Sequence, residues 1–285
     1  MLPAFILLLR EGLEASLVVS IMLAALKQLG QRREARAVWI GVSLAVLCSA
    51  IGGYIIFQTV HAYANTTFQT IFETFTYLLA VVLLTTMTFW MQRHSRTMKQ
   101  EITARASVAG SSFALGLLAF TTVGREGLES AVFALAFAFQ TTGVLWVTGA
   151  TLGVLASVAL CWAIYRMGYR LDFRLFFRWM GLILLVFAAG LVADAIQNMQ
   201  ELGWITLGNA HMWNTSRLLS EDSMVGDMAH AFIGYAQSPT ALQLLLYVAY
   251  LAVFATYFWR MTRKPQPKVA AAASSTTSVA PSTRS

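Results

Sequence analysis

Arg10-Glu11-Gly12-Leu13-Glu14 lies in the middle of an apolar run that extends from Leu2 to Leu26. The run is long enough to cross a bilayer, because a spanning helix needs about 20 predominantly apolar residues. A charged side chain near the centre of such a helix costs about 2.5–3.5 kcal/mol on insertion scales, so charges placed there usually serve a function. The pentapeptide therefore predicts a membrane helix built around a polar site.

The composition is that of a helical membrane protein. The chain has 285 residues, of which 58% are hydrophobic and 12% charged, and its mean hydropathy is +0.64. Seven apolar stretches are long enough to span a bilayer. We therefore expect an all-α integral membrane protein with seven transmembrane helices, at about 2–26, 36–60, 71–92, 111–139, 143–166, 178–199 and 241–260.

The basic residues indicate how these helices are oriented. The net charge of +7 comes from short clusters between apolar runs, a pattern that predicts membrane topology rather than a nucleic-acid partner. Links rich in Lys and Arg lie in the cytoplasm, and basic links alternate with links that are poor in Lys and Arg. The N-terminus is therefore predicted outside and the C-terminus in the cytoplasm. The basic residues are Lys27, Arg32, Arg33 and Arg36, then Arg93, Arg96, Lys99 and Arg105, then Arg166, Arg170, Arg174 and Arg178, and finally Arg260, Arg263, Lys264 and Lys268.

Two segments lie outside the predicted helices. The long link at 200–240 falls on the outer side, where it either collects metal or rests on the domain as a solvated loop with short helices. Residues 265–285, rich in Ala, Ser, Thr and Pro, are expected to form a disordered cytoplasmic tail. The possible metal ligands of the outer loop are Glu201, His211, Met212, Glu221, Asp222, Met224, Asp227, Met228 and His230.

The pentapeptide occurs a second time, as Arg125-Glu126-Gly127-Leu128-Glu129 in the fourth apolar stretch. An odd number of helices separates equivalent positions, so the first and fourth spans cross the membrane in opposite directions. We therefore predict a 3+3 inverted repeat, with repeat one at about 1–92 and repeat two at about 111–199, followed by a seventh helix at 241–260. Inverted repeats place substrate sites near the bilayer midplane, where the halves meet.

Within each pentapeptide the side chains have the spacing of one helix face. The two glutamates are spaced i, i+3, and the arginine and the second glutamate are spaced i, i+4, so each arginine can neutralise part of its own motif. The glycine lets another helix or an ion approach the backbone. If the two helices face each other, four carboxylates converge, those of Glu11, Glu14, Glu126 and Glu129, accompanied by Arg10 and Arg125.

Four carboxylates and two guanidinium groups leave a formal charge of −2, so the site should attract a cation. The motifs contain no Cys or His, and oxygen ligands favour a hard or borderline cation such as iron, manganese or magnesium over copper(I). Chemistry alone leaves the choice among these ions open. It also leaves open a proton-coupled transporter that uses the same carboxylates.

Two other classes of protein remain as alternatives. An intramembrane metalloenzyme is disfavoured, because the chain has neither His-Glu-x-x-His nor the Glu-x-x-His pattern of di-iron bundles. A scaffold whose Arg–Glu pairs only lock helices together is possible, since buried pairs can serve packing specificity. Two carboxylates would still remain after pairing, which favours the transporter.

Arg-Glu-Gly-Leu-Glu in the first and fourth of seven helices resembles the oxidase-dependent iron transporter family of iron permeases, and its bacterial members above all. The hallmark of that family is Arg-Glu-x-x-Glu in both helices. Weaker likenesses are Phe72-Glu73 entering span three and Gly234-Tyr235 with Pro239 before the last span. The resemblance covers about residues 1–262.

The resemblance implies iron import across the cytoplasmic (inner) membrane by a permease that is not an enzyme. It implies that Glu11, Glu14, Glu126 and Glu129 are iron ligands and that Arg10 and Arg125 are essential companions. Iron would be the transported substrate, and no prosthetic group is expected. Extracytoplasmic proteins that oxidise or deliver iron are the implied partners: a multicopper ferroxidase in fungi, and cupredoxin-containing and haem-peroxidase proteins in the bacterial periplasm.

Two further acids are candidates for an entry vestibule. Glu73 begins the third span and Asp194 lies late in the sixth, so both fall toward the outer side in the predicted topology. Asp194 has an alternative interpretation as an ordinary residue of the membrane interface.

Overall fold

The computed structural model of the protein describes residues 2–28, 32–62, 66–94, 103–104, 111–140, 143–167, 173–215 and 223–263. Within these ranges the fold consists of α-helices, with one 3-10 turn at Arg32–Glu34 and an isolated β-bridge between His211 and Thr240. The helices are α1 (Leu2–Gln28), α2 (Ala35–Ala62), α3 (Thr67–His94), α4 (Ser112–Gln140), α5 (Gly143–Met167), α6 (Phe173–Glu201), α7 (Met224–Ile233) and α8 (Ala241–Arg263).

Each of the seven predicted spans coincides with one long helix, and the all-helical membrane class is confirmed. Five of these helices, α2, α3, α5, α6 and α8, are long and apolar enough to cross a membrane. Helices α1 and α4 fall outside that group because the pentapeptide puts three charged residues into their middle. Seven spans and their orientation therefore stay predictions, and the tail at 265–285 lies outside the described residues.

The long helices pair across the two predicted repeats. Helix α1 packs most extensively on α5, and its counterpart α4 packs most extensively on α2. In the predicted repeat α1 corresponds to α4 and α2 to α5, so these two pairs would be equivalent contacts. The predicted halves are interlocked rather than placed side by side.

Glycines allow the paired helices to approach closely. A Cβ atom on Gly12 would lie 2.3 Å from Ser157 Oγ of α5, and one on Gly127 would lie 2.3 Å from Ser49 Oγ of α2. The distances match because the two contacts are equivalent. Small residues at a helix interface are the usual device for bringing backbones together inside a membrane.

Helices α1 and α4 run antiparallel. Near the end of α1, Leu26 lies in one cluster with Leu115 from the start of α4. Near the start of α1, Leu7 lies in another cluster with Phe133 and Phe137 from the later part of α4. The two pentapeptides consequently meet at the middle of the crossing.

The largest core lies between α3 and α6, where Tyr77 and Leu84 pack with Phe187 and Leu191. The outward faces of α2, α5 and α8 carry exposed apolar side chains, such as Ile40, Leu155 and Val253. Such faces suit contact with lipid, and the apolar interior fixes α3 and α6 beside the α1–α4 crossing.

Helix α7, in the link between α6 and α8, packs against α6. It begins after Ser223, whose hydroxyl accepts a hydrogen bond from Gly226 N, and it ends at Gly234 with φ 66°. A Cβ atom on Gly234 would lie 2.6 Å from Gly190 Cα, which is about 16 Å from the end of α6 at 1.5 Å rise per residue. The Phe232 ring lies 5.1 Å from that of Phe187. This part of the loop therefore packs well below the ends of the helices.

We expect Gly12→Ala to destabilise the protein by about 1–3 kcal/mol, because the new methyl overlaps Ser157 and forces α1 away from α5. Thermal unfolding of detergent-solubilised protein, followed by circular dichroism, measures the effect. Gly52→Ala is the matched control, since nothing lies within 4 Å of a Cβ there. Adding Ser157→Gly should restore part of the lost stability; equal melting of Gly12→Ala and wild type would contradict this packing.

Candidate metal site

The crossing of α1 and α4 brings three glutamates of the two pentapeptides together. Carboxylate oxygens of Glu11, Glu126 and Glu129 all lie within 4.8 Å of one another. Glu11 and Glu129 are buried and Glu126 is partly buried. Among the described residues this is the one group of three or more His, Cys, Asp or Glu with the spacing of a metal site.

Glu14 lies beside this trio rather than in it. It is buried, and its Oε1 faces the guanidinium of Arg10 at 2.9 Å. The expected cluster of four carboxylates is thus present as three that converge and a fourth that pairs with an arginine.

Arg10 is surrounded by acids. Its Nη1 donates a hydrogen bond of 2.6 Å to Glu11 Oε1, and its Nη2 forms the ion pair with Glu14. Its side chain is 3% exposed. A planar guanidinium suits this arrangement because it can serve two carboxylates at once.

Arg125 occupies the equivalent position in α4 but has different surroundings. Its Nε donates a 2.9 Å hydrogen bond to Glu129 Oε1, and its side chain is 53% exposed. The guanidinium carbon lies 5.3 Å from the centre of the Trp90 ring of α3, which is a cation–π contact. The two motifs are therefore identical in sequence and asymmetric in structure.

Several carboxylate oxygens of the site have no hydrogen-bond partner within the described part of the chain. They are buried, and they include one oxygen from each member of the trio, Glu11 Oε2, Glu126 Oε2 and Glu129 Oε2. Leaving such acceptors unsatisfied is costly in a dry interior. A bound cation would satisfy all three, and three oxygen ligands suit a hard or borderline ion.

The two vestibule candidates lie apart from the trio. Glu73 of α3 is half-buried and accepts a 2.6 Å hydrogen bond from Gln69. Asp194 of α6 is buried, and its Oδ1 lies 3.7 Å from Nε2 of His230 in α7. Asp194 thus takes part in the contact between α6 and α7.

Three features of the site were missed by sequence reasoning. Ser49 and Ser157 are ordinary serines in apolar helices, and only their contact with the motif glycines marks them. Trp90 lies in an apolar span, and nothing in its neighbourhood along the chain signals that it faces Arg125. His230 was counted among the loop ligands without a partner, although a histidine near an intramembrane aspartate is a recognisable pairing.

The family of the chain follows from comparison with known proteins. The model of the iron permease FTR1 family matches residues 1–267. The chain therefore belongs to this family and is a multi-pass membrane transporter rather than an enzyme, as the paired pentapeptides predicted.

Its relatives include proteins named ferrous iron permease EfeU. That of Yersinia pestis is 35% identical over 279 residues, which cover 96% of this chain and 98% of the relative. That of Escherichia coli O6:K15:H31 is 35% identical over 257 residues, covering 88% and 92%. No solved structure matches the chain.

We expect Arg10→Leu to reduce stability by about 3–5 kcal/mol, because it leaves Glu11 and Glu14 buried without a counter-charge. Arg125→Leu should cost less, since that side chain is half exposed and pairs with one carboxylate. Urea or thermal unfolding of the two purified variants compares them directly. Equal stabilities would show that the difference in burial has no energetic consequence.

Proposed function

We propose that the protein imports iron across the cytoplasmic (inner) membrane, with Glu11, Glu126 and Glu129 as the ligands that hold the ion in transit. The observation that carries the proposal is the convergence of three buried carboxylates, each with an oxygen that lacks a partner among the described residues. Family membership supports iron as the substrate, and relatives at 35% identity are named ferrous iron permeases.

The charge of the site is suited to binding a cation and then releasing it. Four glutamates and two arginines leave a formal −2, so a divalent ion neutralises the cluster. An inside-negative potential adds about 2.3 kcal/mol per charge per 100 mV in favour of entry. Glu14 is the fourth carboxylate of the site, and in this arrangement it is held by Arg10.

The interlocked helix pairs provide a way to alternate access. Helices α1 and α5 form one pair and α2 and α4 the other, and the trio lies where the pairs meet. In the predicted 3+3 inverted repeat, a rocking motion of one pair against the other opens the midplane site to each side in turn.

Entry is proposed from the side on which α7 lies. Glu73 and Asp194 belong to the ends of α3 and α6 that meet there, and α7 contacts α1 and α4 as well as α6. In the predicted topology this side is outside the cell. Iron-oxidising or iron-delivering proteins of the periplasm would act on this face.

Carboxylates alone also suit manganese and magnesium, so another hard divalent cation is the second candidate substrate. Uptake in reconstituted vesicles, with each metal competing against labelled iron, separates these possibilities. Iron supplied as ferrous ion with ascorbate or as ferric citrate identifies the oxidation state that is transported.

Glu11→Gln, Glu126→Gln and Glu129→Gln should each reduce iron uptake by at least about tenfold, since losing even an outer partner of a metal site costs about 10–100-fold. Glutamine keeps the size of the side chain and removes the charge. Uptake of radioactive iron into vesicles, normalised to the amount of folded transporter, is the measurement.

Glu34→Gln is the control for these variants, because Glu34 belongs to the link between α1 and α2. It should transport iron at the wild-type rate. Wild-type uptake by all three variants of the trio would refute the proposed site, whereas faster uptake of manganese than of iron would refute the proposed substrate.

Asp194→Asn and Glu73→Gln should raise the apparent KM for iron several-fold and leave kcat nearly unchanged, because vestibule charges concentrate cations without binding them in transit. The effect should shrink as the ionic strength of the outer solution increases. A fall in kcat at saturating iron would instead assign these acids a role in the transport step itself.

A further inference from the structure

The two arginines of the site have the same sequence neighbours and bind different numbers of carboxylates. Arg10 reaches Glu11, the next residue, as well as Glu14. Arg125 has the same opportunity to reach Glu126, yet it pairs with Glu129 and leaves Glu126 Oε2 without a hydrogen-bond partner among the described residues. Something outside the pentapeptide must account for this difference.

Trp90 is the residue that distinguishes the surroundings of Arg125. The ring belongs to α3, is 36% exposed, and has the guanidinium carbon of Arg125 at 5.3 Å from its centre. Trp is the aromatic residue that attracts a guanidinium most strongly. With its guanidinium over this ring and its Nε on Glu129, Arg125 is directed away from Glu126.

We infer that Trp90 is a positioning residue of the transport site: it holds Arg125 over its ring and thereby keeps Glu126 available to the ion. This inference rests on the proposed function, because Glu126 matters only if the trio binds the substrate. Without Trp90, Arg125 is free to pair with Glu126 as Arg10 pairs with Glu11. Glu126 is the one member of the trio with no arginine partner among the described residues. The ion would then have to compete with a guanidinium for all three carboxylates.

Loss of Trp90 should therefore change the affinity of the transporter for iron and not its folding. Iron would have to displace a guanidinium from Glu126, so its apparent affinity should fall. Once the ion is bound, the trio is the same as in the unaltered protein, so the turnover at saturation should change little. Replacing a residue that served packing alone would reduce the amount of folded protein. It would not raise the apparent KM of the folded transporter while leaving kcat unchanged.

The chain contains a matched control for the experiment. Arg178 lies over the ring of Trp259 at the same 5.3 Å, and Trp259 is 42% exposed. That contact joins α6 to α8 and includes no member of the carboxylate trio. Trp259→Leu therefore removes an equivalent cation–π contact without altering the surroundings of Glu126.

The experiment measures labelled-iron uptake by Trp90→Leu, Trp90→Phe and Trp259→Leu in vesicles, normalised to folded transporter. Trp90→Leu should raise the apparent KM about three- to tenfold, which is roughly 0.6–1.4 kcal/mol of binding, with a smaller change in kcat. Trp90→Phe keeps a weaker aromatic face and should lie between Trp90→Leu and wild type. Trp259→Leu should keep the wild-type KM.

Two results would overturn the inference: an unchanged KM in Trp90→Leu, or an equal rise in Trp259→Leu. If Trp90→Leu does not fold, a Trp90→Phe or Trp90→Tyr variant with a wild-type KM would also overturn the inference.

Glu126→Gln separates this inference from the function on which it rests. If Glu126→Gln loses uptake but the Trp90 variants behave as wild type, only the positioning role of Trp90 is rejected. If Glu126→Gln transports iron normally, Glu126 is not a ligand, and the positioning role of Trp90 is rejected with it.

Discussion

The structure depends on holding carboxylates close together where water is scarce. Glu11, Glu126 and Glu129 have oxygens within 4.8 Å of one another, and like charges at that distance repel strongly in a medium of low dielectric constant. Arg10 and Arg125 offset part of the repulsion. In the proposed function, the remaining repulsion is what favours binding of a cation among the three carboxylates.

The helix pairing explains how so polar a crossing is tolerated. Gly12 and Gly127 allow α5 and α2 to lie directly on the backbones of the motif helices, at Ser157 and Ser49. Close backbones exclude lipid from behind the charged turn and hold the glutamates toward the other half. The two glycines thus allow the helices to pack closely and also help to orient the glutamates. The same residues therefore affect both the packing and the geometry of the site.

Much of this arrangement follows from the sequence, and the remainder has identifiable physical reasons. Apolar length predicted the seven long helices, and the i, i+4 spacing predicted the ion pairs of Arg10 with Glu14 and of Arg125 with Glu129. Spacing could not predict which three of the four carboxylates converge, because that depends on side-chain rotamers and on the neighbouring helices. The contact of Trp90 with Arg125 joins residues on different helices, so no local pattern reveals it. The insertion of α7 against Gly190 depends likewise on a glycine whose role appears only when the helices are packed.

The interlocking of α1 with α5 has a consequence for how the protein is made. The charged turn of α1 precedes its main packing partner along the chain, and α5 is synthesised only after α2, α3 and α4. If α1 spans the membrane as predicted, its three charges lack α5 until then, and an isolated α1 in lipid would be unfavourable. We therefore expect α1–α4 to stay together, beside the insertion machinery or against one another, until α5 emerges and packs on the charged turn of α1.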